Sequence, residues 1–275
     1  MNGIRPIKLK SIRKEYLWGT EDWLFSYLHE ECRDVPLLIK KITAKEALSV
    51  QVHPNDSYAK EKEGCSGKTE MWYVLDCESG AYLYYGLKHR ISPNEFQKRI
   101  QNGTITEVCQ KVPVKKGDVF YIPAGLVHAI GRGITVAEVQ QSSNITYRIY
   151  DYQREDANHQ RRELHIAQAS EVAGFLPPLQ GHRPMGLCRK EDGYEKTLLV
   201  QCPHFTVQHY KIENRMKGQD RGYFSALYII EGNGILSTQK EALQLNMGDC
   251  IFLPKGMGDY EIKGNIELLI SEVPK

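Results

Sequence analysis

The chain is 275 residues long, 41% hydrophobic and 25% charged, which is the balance of a folded globular protein with room for two domains. Lys+Arg 36 against Asp+Glu 34 leaves a formal net charge of +2, without the basic excess of a dedicated nucleic-acid binder. No apolar run approaches the ~20 residues that span a bilayer, and the segment Met1–Arg13 lacks the apolar stretch of a secretory signal.

In chain order, the first strong signal is Leu48–Pro54, Leu-Ser-Val-Gln-Val-His-Pro. It alternates, so a strand here sets Ser49, Gln51 and His53 on one face. Lys68 and Glu70 share a face in the next run, which continues into a predicted strand Met71–Leu75. Ser92-Pro93-Asn94-Glu95 is a capping box with proline at the first helical position; Phe96 and Ile100 lie one turn apart, and Gly103 ends the helix. Strands are predicted at Val119–Ile122, Ile134–Val139 and Ile145–Tyr150. Glu163–Gly174 predicts a second helix, with Leu164, Ala167 and Val172 as its apolar stripe. Pro177, Pro178, Gly181 and Pro184 then cluster, which places a domain boundary near Phe175–Lys190. Strands follow at Phe205–Ile212, Ala226–Ile230 and Ile266–Ile270. Short β-branched and aromatic runs between turn residues predict an all-β chain with minor helical additions.

The seven cysteines are scattered, odd in number and free of any C-x-x-C. That argues against a disulfide framework or a cysteine zinc site, and for reduced thiols in the cytoplasm.

An internal repeat organises the rest. Gly117-Asp118-Val119-Phe120-Tyr121-Ile122-Pro123-Ala124-Gly125 matches Gly248-Asp249-Cys250-Ile251-Phe252-Leu253-Pro254-Lys255-Gly256. Upstream, Tyr73-Val74-Leu75 corresponds to Tyr228-Ile229-Ile230. Coincidence between two hairpins would explain one match; two related β domains explain both in register. The copies differ in chemistry: His128 and Glu70 of the first stand opposite Asp259 and Ser225 of the second. The expectation is a metal-binding, catalytic domain at 1–180 and a metal-free one at 181–275.

His53, Glu70 and His128 are of metal-ligand type and lie in segments that a small β-barrel can bring together. Gln51 can add a carbonyl oxygen. Two imidazoles and a carboxylate suit Zn²⁺, and similar sets also take Fe, Mn or Co. Each residue alone has a plainer reading: His53 beside Pro54 as a turn residue, Glu70 as a solvated strand carboxylate. Their joint placement, with the metal-type residues missing from the second repeat, favours a site. The remaining histidines, His29, His89, His159, His165, His182, His204 and His209, read as surface or packing residues.

Gly117-x5-Pro123-x-Gly125-x-x-His128 resembles the second motif of the cupins. The strings LSVQVHPNDSYA, GKTEMWYVLD, PAGLVHAIG and AEVQQSSNITYRIYDY closely resemble the type I mannose-6-phosphate isomerases in their bacterial form. The likeness runs from Trp18-Gly19 to about Phe175, and the second repeat is similar to that family's metal-free cupin domain. The resemblance implies two tandem cupin (jelly-roll) domains. It also implies one zinc per chain on Gln51, His53, Glu70 and His128, with Lys68, Glu138 and Arg148 in the same pocket. The implied activity interconverts mannose 6-phosphate and fructose 6-phosphate. One departure from the family pattern is the stretch Tyr27–Asp34, much shorter than usual, which bears on the expected pocket rim and surrounding strand connections and not on these motifs.

Such an isomerase moves a proton between C1 and C2. Arg148 and Lys68 are cations able to hold phosphate oxygens or an enediolate, and Glu138 is a carboxylate outside the ligand set. The sequence leaves the base open between Glu138, Lys68 and a zinc-bound water. Ser49 is a weaker phosphate contact. Without the resemblance, Arg148 and Glu138 would read as exposed strand residues. The partner expected is a small-molecule sugar phosphate, with neither nucleic acid nor membrane; the oligomeric state is not legible. Two other functions fit the same residues: a metal-dependent cupin enzyme of another reaction type, and a non-catalytic sugar-binding or regulatory cupin.

Overall fold

β-strands carry the architecture, as the short β-branched and aromatic runs require. The computed structural model describes residues 4–179 and 181–273. Three α-helices are present among the described residues, Asp56–Lys62, Pro93–Gln101 and Ile166–Val172, and no helix there is long and apolar enough to cross a membrane. All seven cysteines are free thiols.

The chain divides into two compact units. One holds Arg13–Glu21 and Lys41–His182; the other holds the segment ending at Ile12, then Asp22–Lys40 and everything from Arg183. The division after His182 lies inside the predicted Phe175–Lys190 stretch. The units differ from a contiguous 1–180 and 181–275 because two N-terminal segments go with the C-terminal one. Backbone pairing and ring packing explain this. Strand Ile7–Leu9 pairs antiparallel with Cys250–Leu253, Ile7 opposite Phe252. The Phe25 ring stacks on Phe224 with centroids 5.9 Å apart and meets Phe252 edge-on.

In the unit of Lys41–His182, a five-stranded antiparallel sheet runs in the order Tyr147–Tyr150, Val50–Val52, His128–Ala129, Tyr82–Leu87, Cys109–Pro113. In a second sheet Glu70–Cys77 lies between Ile134–Gln141 and Val119–Ile122. Trp72, Val74, Phe120 and Val136 from this sheet share one core with Leu83, Tyr85 and Val112 of the five-stranded sheet, the interior of a two-sheet barrel. The outer face of the five-stranded sheet is covered too. Val50, Val52, Tyr147 and Ile149 pack there against Phe96 and Ile100 of one helix and Ala169 of another. Strand parity therefore assigns the alternating run: its valines go outward to the helices, and Gln51 turns the other way.

Helix Pro93–Gln101 is as predicted, with Ser92 Oγ accepting from Glu95 N at 3.1 Å. The second helix starts at Ile166 rather than Glu163, and Ala169 rather than Ala167 is its buried residue. The reason is that residues 163–165 are engaged with Arg148, as described below. Helix Asp56–Lys62, capped by the Asn55 side chain on Tyr58 N, had not been predicted.

From Arg189 on, the C-terminal unit is one large antiparallel sheet, joined by strand Ile7–Leu9, around a core that includes Leu227, Ile229, Leu236, Ile251 and Leu268. Its hairpin repeats the first unit's bond for bond. Gly117 N donates to Val74 O and Val74 N to Asp118 O, at 2.8 and 2.9 Å; Gly248 N donates to Ile229 O and Ile229 N to Asp249 O, both at 2.9 Å. Asp118 Oδ2 caps Lys115 N, and Asp249 Oδ2 caps Asn246 N. Gly117 (φ 91°) and Gly248 (φ 94°) occupy the left-handed region that this turn needs. The strand registers match as well: Glu70 faces Ile122, and Ser225 faces Leu253.

Candidate metal centre

Three strands deliver the donors. His53 follows Val50–Val52, Glu70 opens Glu70–Cys77, and His128 opens His128–Ala129. All three side chains are buried, and their donor atoms lie within 4.8 Å of one another. His128 Nε2 is 3.4 Å from Glu70 Oε1, and His53 Nε2 is 3.5 Å from Glu70 Oε2. This is the one such metal-type trio among the described residues. In the C-terminal unit the position of Glu70 is held by Ser225, whose hydroxyl donates to Glu272 at 3.0 Å, and Asp259 is engaged with the backbone N–H of Asp220.

The donor set fits a divalent ion such as zinc. Burial pushes the His128 imidazole down to about 4, which keeps it neutral and able to ligate. Its Nδ1 meets Leu126 O at 2.8 Å, so Nδ1 carries the proton and Nε2 presents its lone pair beside Glu70. Gln51 lies directly opposite His128 in the sheet, with its amide nitrogen 3.4 Å from His128 Nε2. A half-turn of that amide exchanges nitrogen for the oxygen that a metal requires. Ser49 Oγ donates to Gln51 Oε1 at 3.5 Å, so Ser49 touches a donor residue.

The cations and the remaining carboxylate surround this trio. Lys68, also buried, places Nζ 3.1 Å from Glu70 Oε2. Glu138 lies opposite Trp72 across the second sheet and accepts from its indole N–H at 3.1 Å. The Trp72 ring in turn stands edge-on to His128 at 5.4 Å. Arg148 is opposite Gln51, which completes a row Arg148–Gln51–His128 on one face of the sheet. Its Nη1 donates to Glu163 O at 3.0 Å. Burial, and then the nearby Arg162 charge, push Arg148 below its ordinary range.

Several bracing residues escaped the sequence. His165, read there as surface or packing, pairs with the backbone of Arg148: its N donates to Arg148 O at 2.8 Å, and its Nδ1 accepts from Arg148 N at 3.2 Å. Asp56 and Gln141 form a strap over residues 67–69. Asp56 Oδ1 accepts from Gly67 N and from Gln141 Nε2, both at 2.8 Å. Gln141 Oε1 accepts from Thr69 N at 2.8 Å, while Gln141 N donates to Thr69 O at 3.1 Å. Lys68 N donates to Pro54 O at 3.0 Å, and Gly125 N to His53 O at 2.9 Å. The segments bearing His53, Glu70 and His128 are thus tied to one another by backbone bonds. Gly67 permits the close approach, since a Cβ there would stand 2.5 Å from Asn55 C. The one legible hint of the strap was Asn55-Asp56, a helix start placed directly after His53-Pro54.

Comparison with known proteins gives the chain its relatives. The family model for the mannose-6-phosphate isomerase cupin domain matches residues 195–273. The chain is 36% identical over 273 residues to the mannose-6-phosphate isomerase of Streptococcus mutans, covering 98% of this chain and 84% of that protein. The crystal structure of the Bacillus subtilis mannose 6-phosphate isomerase superposes with a TM-score of 0.89 at 33% identity, over 98% of this chain and 99% of that one. A mannose 6-phosphate isomerase bound with zinc and yttrium shares the fold at 13% identity, with a TM-score of 0.74 over 98% and 99% of the two chains. With an all-β cupin fold and this level of identity along nearly its whole length, the chain belongs to the mannose-6-phosphate isomerase family.

Proposed function

We propose that this protein interconverts mannose 6-phosphate and fructose 6-phosphate in the cytoplasm, with one zinc held by His53, Glu70, His128 and the amide oxygen of Gln51 in the unit of Lys41–His182. The observation that carries the reading is the buried His53–Glu70–His128 trio with Lys68 ion-paired to its carboxylate. When bound, the metal withdraws electron density from substrate oxygens. The other tasks fall to the chain's own side chains. Lys68, paired with Glu70, serves as a fixed cation rather than a base. Glu138 stands outside the donor set with its Oε1 oriented by Trp72, and it takes the proton from C2 and returns it to C1. The hydroxyl proton moves from O2 to O1 in the same conversion, so the sugar gains and loses no atoms. Arg148, braced by Glu163 O and His165, offers its planar fork to the phosphate or to the developing oxyanion. Ser49 supports Gln51 and adds a hydroxyl near the same face.

The test couples elemental analysis to an assay of fructose 6-phosphate formed from mannose 6-phosphate. The expected result is about one zinc per chain, as in other single-ion catalytic zinc sites, and activity that is lost on chelation and restored by zinc. His128→Ala should lose the metal. Protein that holds zinc and forms no fructose 6-phosphate would instead be a non-catalytic cupin.

A further inference from the structure

A second polar cavity lies on the far side of Arg148, whose guanidinium feels the charges of Arg162, Asp151 and Arg154 in its lining. It measures about 260 Å³ and opens between the end of helix Pro93–Gln101 and the loop that follows strand Tyr147–Tyr150. None of the residues assigned above to metal, base or substrate lines it. Its cationic wall is Arg154, Arg161 and Arg162.

Asp151, only 5% exposed, fixes two of these arginines. Arg162 grips it with both prongs, Nε to Oδ2 at 2.7 Å and Nη2 to Oδ1 at 2.6 Å, and Arg154 Nη2 reaches Oδ1 at 2.5 Å. A buried carboxylate between two guanidiniums holds their planes still, so a ligand need not freeze them on arrival. Arg161 pairs with Glu155 at 3.3 Å. Three guanidiniums against two carboxylates leave the wall positive. Arg154 Nε is buried and makes no hydrogen bond among the described residues.

The backbone is bent to produce this wall. Tyr152 and Gln153 are consecutive non-glycine residues with φ of 55° and 56°. Left-handed backbone of this kind costs on the order of 1 kcal/mol or more per residue and concentrates at functional sites. Its effect here is to turn the chain back, so that Arg154 N reaches Asp151 O at 3.0 Å and the Arg154 guanidinium lies 5.3 Å from the Tyr152 ring centre.

The rest of the lining is of a different kind. Tyr150 contributes an aromatic surface, and Gln101, Asn102 and Gln153 contribute amides. Guanidinium forks match phosphate oxygens, amides match hydroxyls, and an aromatic face matches the carbon side of a sugar ring. We propose that this cavity is a separate binding site for a phosphorylated sugar, with the phosphate on Arg154, Arg161 and Arg162 and the sugar against Tyr150 and the amides.

The test is equilibrium dialysis of labelled inorganic phosphate against the full-length chain carrying Arg148→Ala, which weakens phosphate binding at the metal centre. One phosphate site should remain. Adding Arg161→Gln or Arg154→Gln should weaken it at least tenfold. Arg161 is mostly exposed and does not touch Asp151, so that variant leaves the fold intact. In an otherwise wild-type chain, Arg161→Gln should leave kcat and KM for mannose 6-phosphate unchanged. Glucose 6-phosphate should displace the label at a lower concentration than unlabelled phosphate does. Loss of all phosphate binding with Arg148→Ala alone, or unchanged binding in both added variants, overturns the site. Displacement by glucose 6-phosphate no better than by phosphate overturns the sugar assignment.

Discussion

Gln141→Leu isolates the strap from the donors it braces. The substitution keeps an apolar body of similar length in a buried position and removes the amide. Two bonds go with it: Thr69 N loses its acceptor, and Asp56 loses the Gln141 donor, while Asp56 keeps Gly67 N. Thr69 is 5% exposed, so its N–H is left buried and unpaired; such a group costs about 1–3 kcal/mol. At about 2–4 °C per kcal/mol for a unit of this size, the melting temperature should fall by several degrees. The second effect is specific. Thr69 sits between Lys68 and Glu70, and loosening it frees the Glu70 carboxylate to wander. Partners that orient metal donors are worth about 10–100-fold in metal affinity, and that is the loss expected here. A chelator-competition titration with zinc measures it, with thermal unfolding of the same samples. Gly117→Ala is the control, a destabilising change in a turn that makes no contact with residues 67–69. If Gln141→Leu lowers the melting temperature as the control does and binds zinc like the wild type, the strap is a structural tie and positions nothing.

Arg148→Ala should retain its metal and lose on the order of 10²–10³ in isomerase rate, the usual effect of removing one preorganised electrostatic partner. Arg148→Lys should recover only part, because charge returns without the planar fork; near wild-type kcat and KM in Arg148→Ala would make it an ordinary strand arginine. Gly117→Ala and Gly248→Ala should each lose about 1–2 kcal/mol in denaturant unfolding, the cost of a Cβ in the left-handed region, and unequal losses would argue against equivalent turns. Burial pushes the Asp151 carboxyl up, but hydrogen bonds from Arg162 and Arg154 outweigh it and hold it below its ordinary value. Its folded value lies under its unfolded one, so the charge-dependent stability is complete above the unfolded value of about 4 and is lost as the pH falls through the folded one. The stability gap between wild type and Asp151→Asn should therefore narrow on acidification, as urea unfolding between pH 6 and 3 would record; a gap independent of pH would mean the ion pairs contribute nothing.

What the sequence made legible, and what it hid, follow from the range of the interactions. Strand parity is a local property, so Ser49, Gln51 and His53 on one face, and Lys68 with Glu70, could be read from alternation alone. His128 could be placed by its distance from the Pro123-x-Gly125 break. The braces could not be read, because each joins segments remote in sequence. Asp56 and Gln141 are 85 residues apart, and Arg148 and His165 are 17 apart. The same cause displaced the second helix: Glu163–His165 suits a helical start by composition, but bonds to Arg148 hold it out of the helix. The N-terminal strand is only Ile7–Leu9, too short for alternation to appear.

The repeat carries the argument one step further, because it separates fold from chemistry within a single chain. The two hairpins keep the same backbone bonds through Gly117 and Gly248, the same aspartate caps, and the same register from Glu70 against Ile122 to Ser225 against Leu253. Those bonds are made by main-chain atoms and one capping carboxylate, so they tolerate any strand-forming residue at the neighbouring positions. The metal-type set has no such tolerance. It depends on donors at particular inward positions, and where Ser225 replaces the glutamate the strand pairing survives while the trio does not. Ser225 and Glu272 form a hydrogen bond of their own instead, 3.0 Å long, and Arg221 and Tyr223 each approach the other Glu272 oxygen at 3.4 Å, so this half-buried carboxylate is satisfied by side chains alone. A barrel of this kind can therefore lose its donors at little cost to its folding, whereas the reverse change requires several donors to arrive at once. Ser225→Glu alone should accordingly set a second carboxylate against Glu272, lower the midpoint of urea unfolding and bind no zinc in equilibrium dialysis beyond the first site; an unchanged midpoint or a second bound zinc would refute this.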